Sequence, residues 1–226
     1  MMRSTEGATT HGRFITLEGP DGSGKTLQAA QLADALRARG HDVVLGREPG
    51  GTRLGERIRE ILMAPAGPPI DPLADALLFS AARAEHVVEV IRPALAAGKV
   101  VVCARYADST LAYQGYGAGE SVETLRRMQA MATGGLLPDR TILLDLPAEV
   151  GLGRKSPDDH TRFEVGFDLE YHRRVRAGFL ELAAAEPARW VIVDADRDGA
   201  AVFDDVLAAA LELIDEPDPV SVRMER

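Results

Sequence analysis

One stretch near the amino terminus constrains the fold of this chain more than any other. The run "FITLE" has the character of a buried strand, and it leads directly into "GPDGSGKT", which matches the phosphate-loop pattern G-x-x-x-x-G-K-[ST]. An amphipathic helix is predicted from Thr26 to about Arg39, so the pattern stands in the strand–loop–helix context that gives it meaning. The alternative interpretation is a glycine-rich turn that binds no ligand. In this context the stretch predicts a nucleotide-binding α/β sheet.

The residues of this loop are the ones that phosphate binding requires. Glycines let the backbone turn its N–H groups inward around phosphate oxygens, and the helix amino terminus adds positive potential. Lys25 is predicted to lie against the β and γ phosphates as a catalytic residue, and Thr26 to give its hydroxyl to Mg²⁺. The pattern identifies a nucleoside-triphosphate binder but not its reaction, since GTPases, ATPases and small-molecule kinases share it. The predicted cofactor-binding residues are Gly19, Pro20, Asp21, Gly22, Ser23, Gly24, Lys25 and Thr26.

The rest of the chain alternates strand-like and helix-like segments. Further strands are predicted at 42–48, 99–104, 140–146 and 190–195, and helices near 54–63, 71–97, 108–115, 121–133, from Pro147, at 168–185 and at the end. This alternation favours a three-layer α/β/α fold with a five-stranded parallel sheet. We expect a single domain over 13–214, a disordered tail at 1–12 and a flexible tail at 215–226.

Composition excludes several classes of partner. The net charge of −9 argues against wide electrostatic capture of nucleic acid, so local arginines would have to hold an anionic substrate. No run of about 20 apolar residues that could span a bilayer occurs in the sequence, and its start lacks the apolar stretch of a signal peptide. Cys103 is the single cysteine, which fits a reducing compartment. These features predict a cytoplasmic protein with a small-molecule substrate and no membrane or nucleic-acid partner.

Side chains suited to a monophosphate site follow the ends of other predicted strands. Arg47 ends the second strand and is expected to face the same crevice as the phosphate loop, and the turn after it either opens a pocket or is a plain connection. Phe79 and Arg83 lie four residues apart on one helix face, where they can stack on and hydrogen-bond to a flat base; a core role for Phe79 is the alternative. Arg105 follows the third strand, where its donors can reach phosphate oxygens. Further residues suited to a sugar and base are Ser109, Thr110, Tyr113 and Gln114.

The polar segment "RKSPDDHTRFE", Arg154 to Glu164, lies between two predicted helices. It is either an idle surface loop or a mobile lid over a site.

Taken together, these motifs resemble bacterial thymidylate kinase, a P-loop nucleoside monophosphate kinase family that transfers a phosphate from ATP to dTMP. The matching elements are "FITLEGPDGSGKT", "REPGGTRLGERIREIL", "LLFSAARAEH", "RYADSTLAYQGYG", "PDRTILLDLP" and "RFE", and they cover nearly all of the chain between Arg13 and Ala195. The resemblance implies a P-loop NTPase fold with a short lid at 154–164, ATP and Mg²⁺ as cofactors, a role in dTDP and dTTP biosynthesis, and a homodimer.

The resemblance also implies a role for each residue of the nucleotide pocket. Asp21 matches the acid that contacts the 3′-hydroxyl, and Arg47 and Arg105 match the arginines that hold the dTMP phosphate. Phe79 matches the ring that stacks on thymine, and Arg83 the side chain that bonds its O4. Thr110 matches a polar residue near N3, Tyr113 the tyrosine that leaves no room for a 2′-hydroxyl, and Gln114 a neighbour of base and sugar. Two lid arginines, Arg154 and Arg162, match the type that reaches the transferring phosphoryl group.

The chain departs from the family pattern at three positions. Leu27 stands in "GKTLQ" where the family has Thr, Thr161 replaces an acid in the lid, and Ala104 replaces the Asp immediately before the arginine. Loss of an acid that supports Mg²⁺ through water or hydrogen bonds is expected to slow the reaction by about 10- to 100-fold, and loss of one that acts directly on the chemical step by up to about 10³-fold. The alternatives are a catalytically silent nucleotide-binding protein and a kinase for another pyrimidine monophosphate.

Overall fold

Five apolar runs form one parallel sheet in the order β2-β3-β1-β4-β5. The computed structural model describes residues 12–65, 68–156 and 161–216. Within these ranges the strands are β1 (Arg13–Glu18), β2 (Val43–Arg47), β3 (Val100–Ala104), β4 (Arg140–Asp145) and β5 (Trp190–Asp194). The central strands are buried on both faces, which is why they read as continuous hydrophobic runs. The predicted five-stranded parallel sheet is confirmed.

Helices cover both faces of this sheet. Ile15 and Leu17 of β1 pack with Leu32 of the first helix, whereas Phe14 points to the other face and packs with Val87. The predicted three-layer arrangement is therefore confirmed. The α-helices are α1 (Lys25–Ala38), α2 (Arg53–Met63), α3 (Pro72–His86), α4 (Arg92–Ala96), α5 (Ala107–Thr110), α6 (Val122–Thr133), α7 (Ala148–Gly153), α8 (Arg162–Gly166), α9 (Leu169–Ala185) and α10 (Gly199–Asp215).

Several helical boundaries differ from those predicted. The helix expected at 71–97 contains a π-helical turn, Val87–Ile91, between α3 and α4, and a second π-helical segment, Leu111–Gly117, continues α5. The short helix α8 begins within the segment expected to be a polar loop and ends two residues beyond it, and there Phe163 is buried and the Thr161 hydroxyl accepts its N–H. The expected lid falls partly on residues 157–160, which lie outside the described residues, as do 1–11 and 217–226.

The last described residues lie close to the expected domain boundary at 214. Helix α10 continues to Asp215, and Glu216 accepts hydrogen bonds from Arg13 through its carbonyl and from Arg140 through its side chain. Within the described ranges, no helix is both long and apolar enough to span a bilayer.

The strand register brings the expected site residues to one edge of the sheet. Leu17 of β1 and Arg47 of β2 both pair with Ala104 at the end of β3. The residues that follow these three strands therefore meet at their carboxyl ends, where ligands bind in parallel α/β sheets.

Candidate active site

A cavity of about 390 Å³ opens at the carboxyl ends of β1, β2 and β3. This volume lies in the range of small-molecule sites. Eleven of the residues singled out from the sequence line it: Asp21, Gly22, Gly24, Lys25, Thr26, Phe79, Arg105, Ser109, Thr110, Tyr113 and Gln114. Six lining residues that were not singled out are Glu48, Pro49, Arg59, Met63, Lys155 and Phe163, and the lining also contains Leu27 and Thr161, two of the departures from the family pattern. The structure therefore joins the phosphate loop and the second pocket in one space.

The phosphate loop has the backbone geometry of an anion cradle. Gly19, Gly22 and Gly24 have φ values of 143°, 75° and 87°, which side chains with a Cβ rarely adopt. Helix α1 begins without a side-chain cap, so its first N–H groups are available to a ligand. Lys25 is buried, and its Nζ donates to Pro20 O at 2.6 Å and Ser23 Oγ at 3.1 Å. Burial, followed by the neighbouring charge of Arg105, lowers the pKa of Lys25 well below its ordinary value.

These donors fit a triphosphate and its metal ion. The ammonium of Lys25 and the uncapped helix terminus are cationic or positively polarised, and the exposed Thr26 lines the same cavity with its hydroxyl. Ala104 is buried on the face of the sheet that α1 covers, in contact with the cluster around Leu17 and Ala29. A carboxylate at position 104 would thus lie beneath the start of α1, and this chain offers a methyl group instead.

Asp21, Arg105 and Tyr113 form a hydrogen-bonded cluster in the cavity wall. Arg105 Nη2 donates to Asp21 Oδ1 at 2.5 Å and to Tyr113 Oη at 3.1 Å, and Tyr113 Oη donates to Asp21 Oδ2 at 2.8 Å. Arg105 Nη1 also donates to Ser109 Oγ at 3.3 Å. Burial acts to raise the pKa of Asp21, but Arg105 and Lys25 outweigh it, so that this pKa lies below its ordinary value. The cluster holds a fixed cation and a fixed anion facing the phosphate loop.

The backbone of Arg105 is left-handed, with φ 68°. It is the only non-glycine residue with positive φ among the described parts of the chain. Such a conformation costs an L-residue about 1–2 kcal/mol, so contacts elsewhere must compensate for it.

Arg59 adds a guanidinium to the cavity lining, which also contains Lys25, Arg105 and Lys155. Arg47 is half-exposed, pairs with Glu56 at 3.0 Å and does not line the cavity. Arg59 lines it and donates from Nη1 to Pro49 O at 3.0 Å. Burial, followed by the charge of Arg47, lowers the pKa of Arg59. The sequence could have indicated Arg59, because it lies four residues after Gly55 and therefore on the buried face of α2.

Arg83 lies behind the cavity wall and is only 1% exposed. Its Nε donates to Glu48 Oε2 at 2.7 Å, its Nη1 to Thr110 Oγ1 at 3.0 Å, and its Nη2 to Tyr106 O at 2.8 Å. Gln129 accepts a further bond from Nη1. The guanidinium is thus held by four acceptors of the protein, and contact with a base stays a prediction.

Aromatic rings form the far wall of the cavity. Phe163 of α8 lies 6.2 Å from Phe79 and 5.7 Å from Tyr113 between ring centroids. Gln114 lines the same wall and donates to Asp75 Oδ2 at 2.8 Å. This wall is apolar with polar groups at its rim, which suits a flat heterocycle.

The two expected lid arginines are not among the residues that line the cavity. Arg154 Nη1 donates to Ala195 O at 2.9 Å, and Arg162 Nε donates to Leu62 O at 2.6 Å. Arg162 also pairs with Asp75, whose pKa is raised by burial. Their contact with a transferring group therefore stays a prediction.

The same motifs and fold occur together in proteins of known family. The family model described as thymidylate kinase matches residues 17–206. Thymidylate kinase of Deinococcus radiodurans is 52% identical over 207 residues, covering 90% of this chain and 98% of that protein. Thymidylate kinase of Thermomicrobium roseum is 51% identical over 202 residues, covering 89% of this chain and 95% of that protein.

A solved structure agrees with these sequence matches. The crystal structure of thymidylate kinase from Ehrlichia chaffeensis superposes with a TM-score of 0.72 at 35% identity, covering 88% of this chain and 99% of that one. The family model, the relatives and the solved structure each match most of this chain, so the chain belongs to the thymidylate kinase family.

Proposed function

We propose that the chain transfers the γ-phosphate of ATP to dTMP, giving ADP and dTDP on the route to dTTP. Membership of the family makes it a dTMP kinase. The observation that carries the detailed proposal is the single cavity in which the phosphate loop faces the Asp21, Arg105 and Tyr113 cluster. In-line transfer needs this juxtaposition, because the donor and acceptor phosphates must approach each other directly.

The acceptor oxygen needs no strong general base. The second pKa of a phosphate monoester is about 6, so the group is largely ionised at neutral pH. We propose that Arg105 and Arg59 hold it, since both guanidinium groups line the cavity and charge-assisted hydrogen bonds to phosphate are strong. Arg47 lies near Arg59 but is paired with Glu56, so it is a weaker candidate for this role. Catalysis is then positioning and charge neutralisation.

On the donor side, Lys25 and the uncapped start of α1 hold the β and γ phosphates, and Thr26 offers the metal ligand. When bound, Mg²⁺ neutralises the charge that develops on the transferring phosphoryl oxygens. We propose that Arg154 and Arg162 join this site only after exchanging their present backbone acceptors for phosphate oxygens.

For the nucleoside, we propose that the base stacks on Phe79 and that Tyr113 fills the space beside the sugar C2′. Tyr113 is 5% exposed and its hydroxyl is held by Asp21 and Arg105, which supports a fixed steric barrier. Arg83 donates to Thr110 Oγ1 and so orients a hydroxyl at the cavity wall. Thr110 and Gln114 are the candidates for the polar edge of a pyrimidine.

A coupled ADP-release assay with dTMP and Mg²⁺ tests the reaction. The parent is expected to release ADP only when dTMP is present, and Lys25→Ala is expected to abolish this release. Ala104→Asp should raise turnover by about 10- to 100-fold, since it restores an acid beside the metal site. Equal turnover of the two proteins would make the proposed slowing by Ala104 wrong.

The same assay separates the alternative functions. Absence of ADP release while dTMP still binds would favour a silent nucleotide-binding protein, which the alanine at position 104 makes worth testing. The alternative of a kinase for another monophosphate is tested by the rise in melting temperature of the protein on adding dTMP, dUMP, dCMP or dGMP. The largest shift is expected with dTMP.

We also propose a homodimer formed through helix α3. Leu73 and Leu77 of α3 are exposed and four residues apart, which places them on one helix face, and Val88 of the following π-helical turn is exposed as well. A contiguous exposed apolar stripe is typical of a protein–protein interface.

A further inference from the structure

Glu18 connects the two halves of the site through its carboxylate. It is the last residue of β1, directly before the phosphate loop, and it is fully buried. Its Oε1 accepts from Tyr106 N at 2.7 Å and Ser109 N at 3.3 Å, and its Oε2 accepts from Ser109 Oγ at 2.6 Å. All three donors belong to the segment that follows β3.

These bonds act on the residue next to Arg105. The N–H of Tyr106 is held by Glu18 and its carbonyl by Arg83, while the N–H of Arg105 donates to Leu17 O at 3.0 Å. An L-residue persists in the left-handed region only when its surroundings over-determine that conformation. The hydrogen bonds on either side of Arg105 supply that constraint.

The conformation decides where the guanidinium lies. With φ 68° at Arg105, its Nη2 reaches Asp21 and Tyr113 across the cavity. Relaxation to an extended backbone would rotate the Cα–Cβ bond and carry the side chain away from both partners.

We propose that Glu18 is a positioning residue: it keeps Arg105 left-handed and thereby aims the acceptor-phosphate arginine at the phosphate loop. This inference rests on the proposed function for the role of Arg105. Glu18 itself touches neither substrate, because its fully buried carboxylate is outside the cavity lining and accepts its hydrogen bonds from Tyr106 and Ser109.

The groups around Glu18 favour its neutral form, which makes an uncharged replacement of the same shape a suitable test. Asp108 of α5 lies close by, and Arg105, Lys25 and Cys103 are the other titratable groups that face it. Burial, followed by Asp108, raises the pKa of Glu18 to about 7, so the neutral carboxyl is well tolerated at this position. Glutamine is the matching uncharged isostere, since its amide oxygen can accept from both N–H groups and its amide nitrogen can donate to Ser109 Oγ.

The experiment compares Glu18→Ala, Glu18→Gln and a control, Thr16→Val. Thr16 is buried two residues earlier on the same strand, and its hydroxyl hydrogen-bonds to Thr141 Oγ1, away from the cavity lining, so its replacement destabilises the strand without touching the site. Glu18→Ala is expected to lower kcat/KM for dTMP by about 10²-fold while the KM for ATP changes by less than about two-fold. Glu18→Gln should recover most of this loss, and Thr16→Val should show neither effect.

Amide hydrogen exchange gives a readout independent of catalysis. Glu18→Ala should speed exchange at Tyr106 and Ser109 by about tenfold or more over Glu18→Gln and Thr16→Val. Equal losses of kcat/KM in Glu18→Ala and Thr16→Val, at equal loss of thermal stability, would reduce Glu18 to a structural role and overturn the inference.

Two other outcomes also decide the question. If the parent itself forms no dTMP-dependent ADP, the proposed function fails, and unchanged exchange at Tyr106 then overturns the positioning role as well. If Glu18→Ala does not fold, Glu18→Asp replaces it. Its carboxylate is one methylene too short to reach Tyr106 N, and an unchanged kcat/KM for dTMP in that variant overturns the inference.

Discussion

At the scale of single residues, Arg59 and Arg47 carry the same charge in the same segment but have different surroundings. Arg59 lines the cavity, whereas Arg47 is half-exposed and neutralised by Glu56. A charge-assisted hydrogen bond contributes about 1.5–3 kcal/mol, or roughly 10- to 100-fold in affinity. Arg59→Ala is therefore expected to raise the KM for dTMP by at least about tenfold, and Arg47→Ala by clearly less.

Steady-state kinetics of the two variants, with the KM for ATP as the internal control, make this comparison. A larger effect at Arg47 would restore the role expected from its place at the end of β2 and contradict the role of Arg59. Chemical rescue offers a further check. Guanidinium ion should restore part of the activity of Arg59→Ala, because it can occupy the space that the missing side chain leaves in the cavity wall.

A second residue-scale consequence concerns stability and pH. The pKa of Glu18 rises from its ordinary 4.5 to about 7 on folding, because of burial and the nearby Asp108. The folded state therefore binds a proton that the unfolded state has released, and the free energy of unfolding falls as pH rises from 4.5 to 7. This loss amounts to up to about 3 kcal/mol.

Glu18→Gln removes that titration, so its free energy of unfolding relative to the parent should increase between pH 5 and pH 8 in urea titrations. Glu56→Gln is the control. The N–H of Gly51, followed by Arg47, lowers the pKa of Glu56, and its contribution is lost only as pH falls below about 4.5. A flat difference for Glu18→Gln would show that the raised pKa is wrong.

At the scale of elements, helix α7 is joined to the phosphate loop by two glycines. A Cβ on Gly151 would lie 2.2 Å from Asp21 O, and one on Gly22 would lie 1.9 Å from Gly151 O. Neither backbone could approach this closely if the other carried a side chain. Because α7 leads directly into the lid segment, this contact sets the position of the lid's first residues relative to the donor phosphates.

Gly151→Ala is accordingly expected to displace the phosphate loop and raise the KM for ATP by about tenfold or more, with a smaller change in the KM for dTMP. Gly153→Ala is the matched control on the same helix, because no heavy atom of the described residues lies within 4 Å of its added Cβ. That variant should keep its kinetics and gain up to about 1 kcal/mol of stability. Equal kinetics for both variants would contradict the coupling of α7 to the loop.

At the scale of the whole molecule, the exposed stripe on α3 predicts the oligomeric state. Leu77→Glu places a charge in the centre of the proposed interface and should convert a dimer into a monomer in light scattering after gel filtration. Ile192→Glu is the control, since Ile192 is similarly exposed but lies on the edge strand β5. A monomeric parent, or a dimeric Leu77→Glu, would exclude this interface.

The same scale shows what could be predicted from sequence. Strand runs and the phosphate loop depend on neighbours in sequence, so periodicity and the glycine pattern located them correctly. The position of Arg83 depends on Glu48, Tyr106 and Gln129, which come from three other segments, and no local pattern contains that information. Phe163 was missed because a polar segment conceals the short helix that buries it.

The central position of β1 has a consequence for altering substrate choice. Its end begins the phosphate loop, and Leu17 O and Glu18 anchor the segment that carries Arg105, so the geometry of phosphoryl transfer is set by one buried strand. The rings that would face the base, Phe79 and Phe163, lie on α3 and α8 instead. Redesign of the base wall can therefore proceed on peripheral helices, and variants that accept unnatural thymidine analogues should keep the alignment of the two phosphates.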